Sequence, residues 1–190
     1  MPPSKQVEIQ PPSIFRIERG VPTGRFRLLK VFTGLDKVPP FSLYPGGESR
    51  RKALVRRTWV EVVRDETWMY VAPHEVPSFA EAVGWKPVTS DADCIVVGLQ
   101  HLSKSPALTL YLDVLHEFYH IFQRNAGRNL WDITNGYVGN PTELEAYGFA
   151  VDEARRLGVS DEFLREYLKV EWIDAKEHAR LVKSLGIPPA

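Results

Sequence analysis

The C-terminal half of the chain shows the apolar periodicity of α-helices. The run ALTLYLDVLHEFYHIFQRN is apolar on nearly every face and predicts a buried central helix that ends near Gly127. A second helix is predicted in PTELEAYGFAVDEARRLG, because Asn140 suits the N-cap, Pro141 suits the first helical position and Gly158 ends the pattern. Two further helices are predicted in SDEFLREYL and WIDAKEHARLVKSLG.

The N-terminal part instead shows short runs of β-branched and aromatic residues. IFRIE and RFRLLKVF predict strands, and the runs TWVEVV and TWMYVAP on either side of a polar turn predict a β-hairpin. DCIVVGL predicts a buried central strand, and SFAEAVGW predicts a short helix. We therefore predict an α+β fold, in which an N-terminal β-rich part with a small mixed or antiparallel sheet precedes a helical part.

Length and composition predict one folded domain. The chain has 190 residues, 44% of them hydrophobic, which is enough to enclose a single core. Residues 1–13 contain four prolines and predict a flexible arm. Residues 14–190 are expected to form the domain, with a basic β-rich part at 14–73 and a catalytic helical part at 74–190.

The cysteine content and the absence of long apolar runs bear on the compartment. The one cysteine, Cys94, cannot form an internal disulfide, which fits a reducing environment. No apolar run reaches the roughly 18 residues that a bilayer-crossing helix needs. We therefore expect a cytoplasmic protein that has no membrane partner.

Charge is balanced over the whole chain but not along it. There are 24 Lys and Arg and 24 Asp and Glu in total, yet the segment through Thr58 holds 12 basic and 4 acidic residues. Three interpretations of the basic segment stay open. It can be a solvated face, it can pack on the acidic remainder of the chain, or it can contact phosphate or an acidic partner. Nucleic acid is a less favoured partner. The basic cluster consists of Arg50, Arg51, Lys52, Arg56 and Arg57.

His116, Glu117 and His120 form the pattern H-E-x-x-H within the predicted central helix. Residues i and i+4 lie above one another on a helix face, so both imidazoles can bind one ion. Glu117 projects about 100° around the helix and can act as general base toward a water on the metal. A buried acid between two histidines is costly unless a cation neutralises it. Zinc suits this set, because catalytic zinc sites use three protein ligands and leave a position for water.

A third ligand has to come from another segment, and Glu143 is the favoured residue. It stands in the first turn of the next long helix, 23 residues after His120, where a carboxylate also suits the helix dipole. Glu145 is the second choice, and it points about 200° away around that helix, so both cannot be ligands. The remaining candidates are Asp132, His101, His74 and His178.

HEFYH followed by a helix that begins ELEAYGFA resembles the gluzincin clan of zinc metallopeptidases, in which a Glu on the next helix completes HExxH. The pattern ExxAxxFA is similar to the IrrE/ImmA-like peptidases and to the minigluzincins related to CAAX-protease catalytic domains. The resemblance covers residues 93–157. It implies a zincin-like fold in which His116, His120 and Glu143 bind zinc and Glu117 is the base.

Two positions differ from those families. Tyr119 stands where Gly is common, and Tyr147 stands where Asp or Asn is favoured. The second difference removes a carboxylate or amide that would otherwise lie beside a ligand histidine.

These observations predict a zinc-dependent peptidase that hydrolyses peptide bonds in a peptide or protein substrate. A hydrogen-bond donor for the developing oxyanion is expected from Tyr137, Tyr147 or His101. The edge of the DCIVVGL strand is a candidate for binding an extended substrate. The alternative is a non-catalytic, metal-stabilised binding or regulatory module, associated with nucleic acid through its basic N-terminal part.

Overall fold

The computed structural model describes residues 9–13, 15, 24–27, 47–64, 68–71, 93–130, 134 and 136–189. Helices and strands both occur in these ranges, in agreement with the predicted α+β class. None of the described helices is at once long and apolar enough to cross a membrane. The predicted helix SFAEAVGW, most of the predicted strand IFRIE and most of the predicted arm lie outside the described residues.

Four strands in the described part of the chain form one mixed sheet with the order β1-β2-β4-β3. They are β1 (Gly24–Arg27), β2 (Trp59–Val63), β3 (Trp68–Val71) and β4 (Cys94–Gly98). β2 runs parallel to β4, whereas β1 and β3 run antiparallel to their neighbours. Every residue of β4 is buried, as expected for an apolar run in the middle of a sheet.

β2 and β3 do not form the predicted hairpin, because β4 lies between them. Ile95 of β4 is opposite Val60 of β2 on one side and Tyr70 of β3 on the other. The hairpin prediction was wrong because it considered only the two neighbouring runs. β4 is more apolar, comes later in the chain and pairs with both of them. Since both edges of β4 are paired, the prediction that this strand binds substrate by its edge was also wrong.

The helices predicted in the C-terminal half are present, and two others were not predicted, namely α1 and α2. The side chain of Asn140 accepts a hydrogen bond from the backbone N–H of Thr142, which confirms the predicted N-cap, and the side chain of Ser160 accepts one from the N–H of Phe163 in the same way. The helices are α1 (Gly47–Arg57), α2 (Leu99–Lys104), α3 (Ala107–Asn125), a 3-10 turn (Tyr137–Gly139), α4 (Pro141–Arg156), α5 (Asp161–Tyr167) and α6 (Ala175–Ser184).

Helix α3 is the centre of the hydrophobic core. It packs against α4 and also against β3 and β4. Leu112 and Leu115 have no exposed surface, and the same holds for Ala146, Ala150 and Ala154, which form one stripe along α4. Small side chains in such a stripe allow two helix backbones to approach closely. The packing of α4 on α3 therefore brings the first turn of α4 near the histidines of α3.

Two arginines of the basic cluster are bound within the protein. Arg50 Nη2 donates to the backbone carbonyl of Asn125 at 2.6 Å, and Arg57 donates to the side-chain oxygen of the same residue. Arg57 and Arg124 also contact the buried carboxylate of Asp93, with N–O distances of 3.3 and 2.6 Å. A cation at the C-terminal end of a helix is favourable because of the helix dipole. The basic cluster thus serves, at least through Arg50 and Arg57, to dock α1 on the end of α3.

A fully buried carboxylate, that of Glu153, joins α4 to α3. The Tyr111 hydroxyl donates to Glu153 Oε1 at 2.7 Å, and Arg156 donates to both carboxylate oxygens at 2.6 and 2.7 Å. Burial, with the hydrogen bond to Glu153 and its charge, raises the pKa of Tyr111, so the hydroxyl stays protonated and donates. The buried charge is compensated by two partners.

We predict that Glu153→Ala lowers the free energy of unfolding by roughly 3 kcal/mol, because it leaves the buried Tyr111 hydroxyl without an acceptor. The neighbouring exposed carboxylate offers a matched control, and Asp152→Ala should change the same quantity by less than about 0.5 kcal/mol. Urea denaturation followed by circular dichroism measures both. Equal, small effects of the two substitutions would contradict the role given to Glu153.

Candidate metal centre

Helices α3 and α4 bring His116, His120 and Glu143 together. The two imidazole Nε2 atoms are 3.1 Å apart. Glu143 Oε2 lies 3.4 Å from His116 Nε2, and Glu143 Oε1 lies 3.4 Å from His120 Nε2. Both histidines are buried and the glutamate is nearly so. Among the described residues, these three form the group of potential metal ligands that converges on one point.

The two imidazole nitrogens and the Glu143 carboxylate lie close enough together to share one metal ion. For bonds of about 2.0–2.1 Å, tetrahedral ligand atoms lie about 3.3–3.4 Å apart; here the two Nε2 atoms are 3.1 Å apart, and each is 3.4 Å from a different oxygen of Glu143. A normal N–H···O hydrogen bond is shorter, about 2.7–3.2 Å. Each carboxylate contact is a little longer than this range and is therefore a weak hydrogen bond supported by charge.

The ring of His120 is oriented by Gln123, one turn further along α3. His120 Nδ1 lies 2.8 Å from Gln123 Oε1. The amide nitrogen of Gln123 donates to the Thr142 carbonyl and to Glu145 Oε2, both at 2.9 Å, so its oxygen is the atom left to face the histidine. Nδ1 of His120 therefore donates, and its Nε2 atom is directed into the cluster.

Glu145, the second choice for the third ligand, does not join the cluster. Its carboxylate accepts from Gln123 and, at 3.1 Å, from Arg128. It therefore acts on His120 through Gln123 and lies outside the group of converging ligand atoms. Glu143 and Glu145 point about 200° apart around the helix, so only one of them can face α3 directly.

The other candidate ligands have partners elsewhere or are not described. His101 Nε2 lies 2.8 Å from Asp113 Oδ2, and its Nδ1 lies 3.0 Å from the Ser105 hydroxyl. His178 Nε2 lies 2.8 Å from the carbonyl oxygen of Arg165. Two candidates lie outside the described residues, namely His74 and Asp132.

Charge holds the cluster together when no metal is bound. Burial lowers the pKa of His120, but the hydrogen bond to Glu143 and the charge of that carboxylate outweigh burial and raise the pKa to about 9. Burial raises the pKa of Glu143, yet its contacts with the two histidines bring that pKa well below its ordinary value. At neutral pH His120 is therefore a cation and Glu143 an anion.

Glu117 is buried and lies where its charge acts on the same cluster. Only 7% of the surface of Glu117 is exposed. Burial and the charge of Glu143 have larger effects on the pKa values of His120, Tyr137 and Tyr147, and the negative charge of Glu117 also raises all three. The carboxylate that the motif assigns as general base is thus close enough to interact with the ligands and with two nearby hydroxyls.

Tyr147 packs on the ring of His116. The ring centroids of His116 and Tyr147 are 4.2 Å apart, and the Tyr147 hydroxyl lies 2.8 Å from that of Tyr137. His116 Nδ1 is buried and has no hydrogen-bond partner within the described residues. The tyrosine in place of an Asp or Asn therefore positions His116 by ring packing and supplies no hydrogen-bond acceptor for it.

Gln123 is the residue of this site that the sequence motif did not reveal. It lies three positions after His120, a spacing that places the two side chains side by side on a helix. The one available signal was a polar residue inside an apolar helix, and that signal does not distinguish a supporting role from a solvent-exposed position.

Comparison of the chain with protein-family models, with curated proteins and with solved structures finds no match in any of the three. The resemblance to gluzincins remains an expectation from the motif. The candidate metal centre is defined by its own residues and distances.

We predict that Gln123→Leu, which keeps the side-chain volume but removes the acceptor for His120, weakens zinc binding about 10- to 100-fold. Gln100→Leu is the matched control, because Gln100 lies on α2 outside the cluster, and it should leave the affinity unchanged. Competition with a chromophoric chelator at pH 7 measures both affinities. An unchanged affinity in the Gln123 variant would show that the amide does not orient the ligand.

We also predict that zinc binding releases at least one proton at pH 7. The pKa of His120 near 9 in the metal-free protein means that the ion must displace a proton from this ring. Affinity should rise about tenfold per pH unit between pH 6 and 8 and become less dependent on pH above about 9. Calorimetric titrations in two buffers of different ionisation enthalpy count the protons released. A pH-independent affinity over this range would contradict the charge assignment of the cluster.

Proposed function

We propose that the protein is a zinc-dependent metallopeptidase of the gluzincin type, with a zincin-like arrangement around α3. The observation that carries the proposal is the triangle of residues His116, His120 and Glu143, in which the two Nε2 atoms are 3.1 Å apart and each lies 3.4 Å from one oxygen of the Glu143 carboxylate. Two imidazoles and one carboxylate are a ligand set used by catalytic zinc, and three protein ligands leave one coordination position for water or substrate.

Zinc at this triangle would lower the pKa of a water molecule toward neutrality and polarise the substrate carbonyl. The chain itself then has to accept and return a proton. Glu117 is suited to this step because it is ionisable, buried and within electrostatic reach of the ligands. It takes the proton from the attacking water and delivers it to the leaving nitrogen of the peptide bond, so the reaction is hydrolysis.

The hydroxyls of Tyr137 and Tyr147 are the favoured donors to the developing oxyanion. They are 2.8 Å apart, and one hydrogen bond between two hydroxyls uses one hydrogen and leaves the other free to donate. Burial, with nearby negative charges, raises the pKa of both groups, so both stay protonated. His101 is less suited, because both of its ring nitrogens already have partners, Asp113 and Ser105.

Metal analysis combined with single substitutions tests the proposal. The purified wild-type protein should contain or take up one zinc per chain. Glu117→Gln should keep the metal and lower the hydrolysis of quenched fluorescent random-sequence peptides by about 10²- to 10⁴-fold, the usual contribution of a general base. Glu143→Gln should lose zinc and activity together. Glu162→Gln, an exposed glutamate at the start of α5, is the matched control and should change neither.

The outcomes separate the alternatives. Failure of the wild-type protein to bind zinc at micromolar concentration contradicts the metal site and with it the peptidase. Tight zinc binding in a protein that cleaves none of the peptides, with loss of thermal stability on chelation, favours the metal-stabilised binding module instead.

A further inference from the structure

Trp172 is largely exposed to solvent. Its relative exposure is 64%, and among the described residues it is the one large apolar side chain that is exposed. Exposing so large an aromatic surface to water is unfavourable. Tryptophan is also the residue type that most often dominates binding surfaces. An exposed Trp is therefore informative when something connects it to a functional site.

A continuous series of aromatic contacts connects Trp172 to the candidate metal centre. Its ring lies edge-on to that of Tyr137, with centroids 5.7 Å apart. Tyr137 contacts Tyr147 through the hydroxyl pair, and Tyr147 packs on His116 with ring centroids 4.2 Å apart. The outer end of this series is exposed and its inner end is a ligand histidine.

The chain holds Trp172 in place from both sides. Trp172 lies in the short connection between α5 and α6, where Ile173 packs against the hydrophobic core. Asp174 starts α6 with a reciprocal capping box to Glu177, which fixes the backbone directly after the connection. α6 also packs against the 3-10 turn that carries Tyr137. The indole is thus a positioned surface and not the end of a loose segment.

We infer that Trp172 and Tyr137 form a subsite for an apolar, preferably aromatic, side chain of the peptide substrate. This inference rests on the proposed peptidase function. The successive ring centroids from Trp172 to His116 are 5.7, 6.4 and 4.2 Å apart. An extended peptide advances about 3.3–3.6 Å per residue, so the side chain that reaches Trp172 belongs to a residue within about five positions of the cleaved bond. Edge-to-face contact with Tyr137 leaves indole surface exposed to receive such a side chain.

Peptide binding to a zinc-loaded, non-cleaving variant tests the subsite without using activity as the readout. The probes are fluorescein-labelled heptapeptide pools in which one position at a time is Phe, Leu, Lys or Ser and all others are mixed. Binding to zinc-loaded Glu117→Gln protein is followed by fluorescence anisotropy. At one position the Phe pool should bind about tenfold more tightly than the Ser pool, which corresponds to about 1.4 kcal/mol.

Second substitutions in the same background assign the preference to the indole. Trp172→Ala should abolish the Phe preference, whereas Trp172→Phe should retain most of it because an aromatic face is still present. Lys169→Ala changes an exposed side chain near the same connection and should leave the preference intact. Zinc content and the thermal midpoint of each variant establish that the fold and the metal site are unchanged.

The results distinguish failure of the subsite from failure of the proposed function. If zinc binds but no position prefers Phe or Leu over Ser, or no pool binds, or the preference survives Trp172→Ala, the subsite is overturned and the metal centre stands. A preference for Lys that depends on Trp172 overturns the apolar specificity in favour of a cation–π contact. If the protein does not bind zinc, the proposed function itself is overturned.

Discussion

The need to compensate polar groups on a buried helix is the constraint on which the rest of the site depends. His116, Glu117 and His120 lie on α3, whose other side chains form the core, so bulk water cannot solvate their polar atoms. They have to find partners inside the protein, and Glu143 in the first turn of α4 contacts both imidazoles. The close packing of α4 on α3 and the compensation of these charges therefore require each other.

The two histidines of the cluster are held by different forces, and this difference has chemical consequences. His120 is fixed by a hydrogen bond to Gln123, whose amide is itself held by Glu145 and a backbone carbonyl, so Nδ1 carries a hydrogen and the ring orientation is set. His116 is held by its contact with Tyr147, which restrains the ring but accepts no hydrogen bond from it. The ring of His120 is thus held in a better-defined orientation than the ring of His116.

A metal ion at this cluster would compete with a proton for the same position. In the metal-free protein the proton on His120 balances the charge of Glu143, and a divalent cation bound by the same residues would have to displace that proton. The surrounding hydroxyls of Tyr137 and Tyr147 remain protonated and can donate in either state. The cluster thus balances its own charge, and the aromatic contacts extend from it to the protein surface.

The sequence by itself determined the features that depend on residues within one or two helical turns. The start of α4 at the Asn140 cap and the placement of His116 and His120 on one face follow from local spacing, which is why they could be predicted. Only the tertiary structure decided that β4 separates β2 from β3, and that Glu143 faces the histidines while Glu145 supports them through an intervening amide. These outcomes depend on how segments distant in sequence pack together, and no local pattern of polar and apolar positions records that packing.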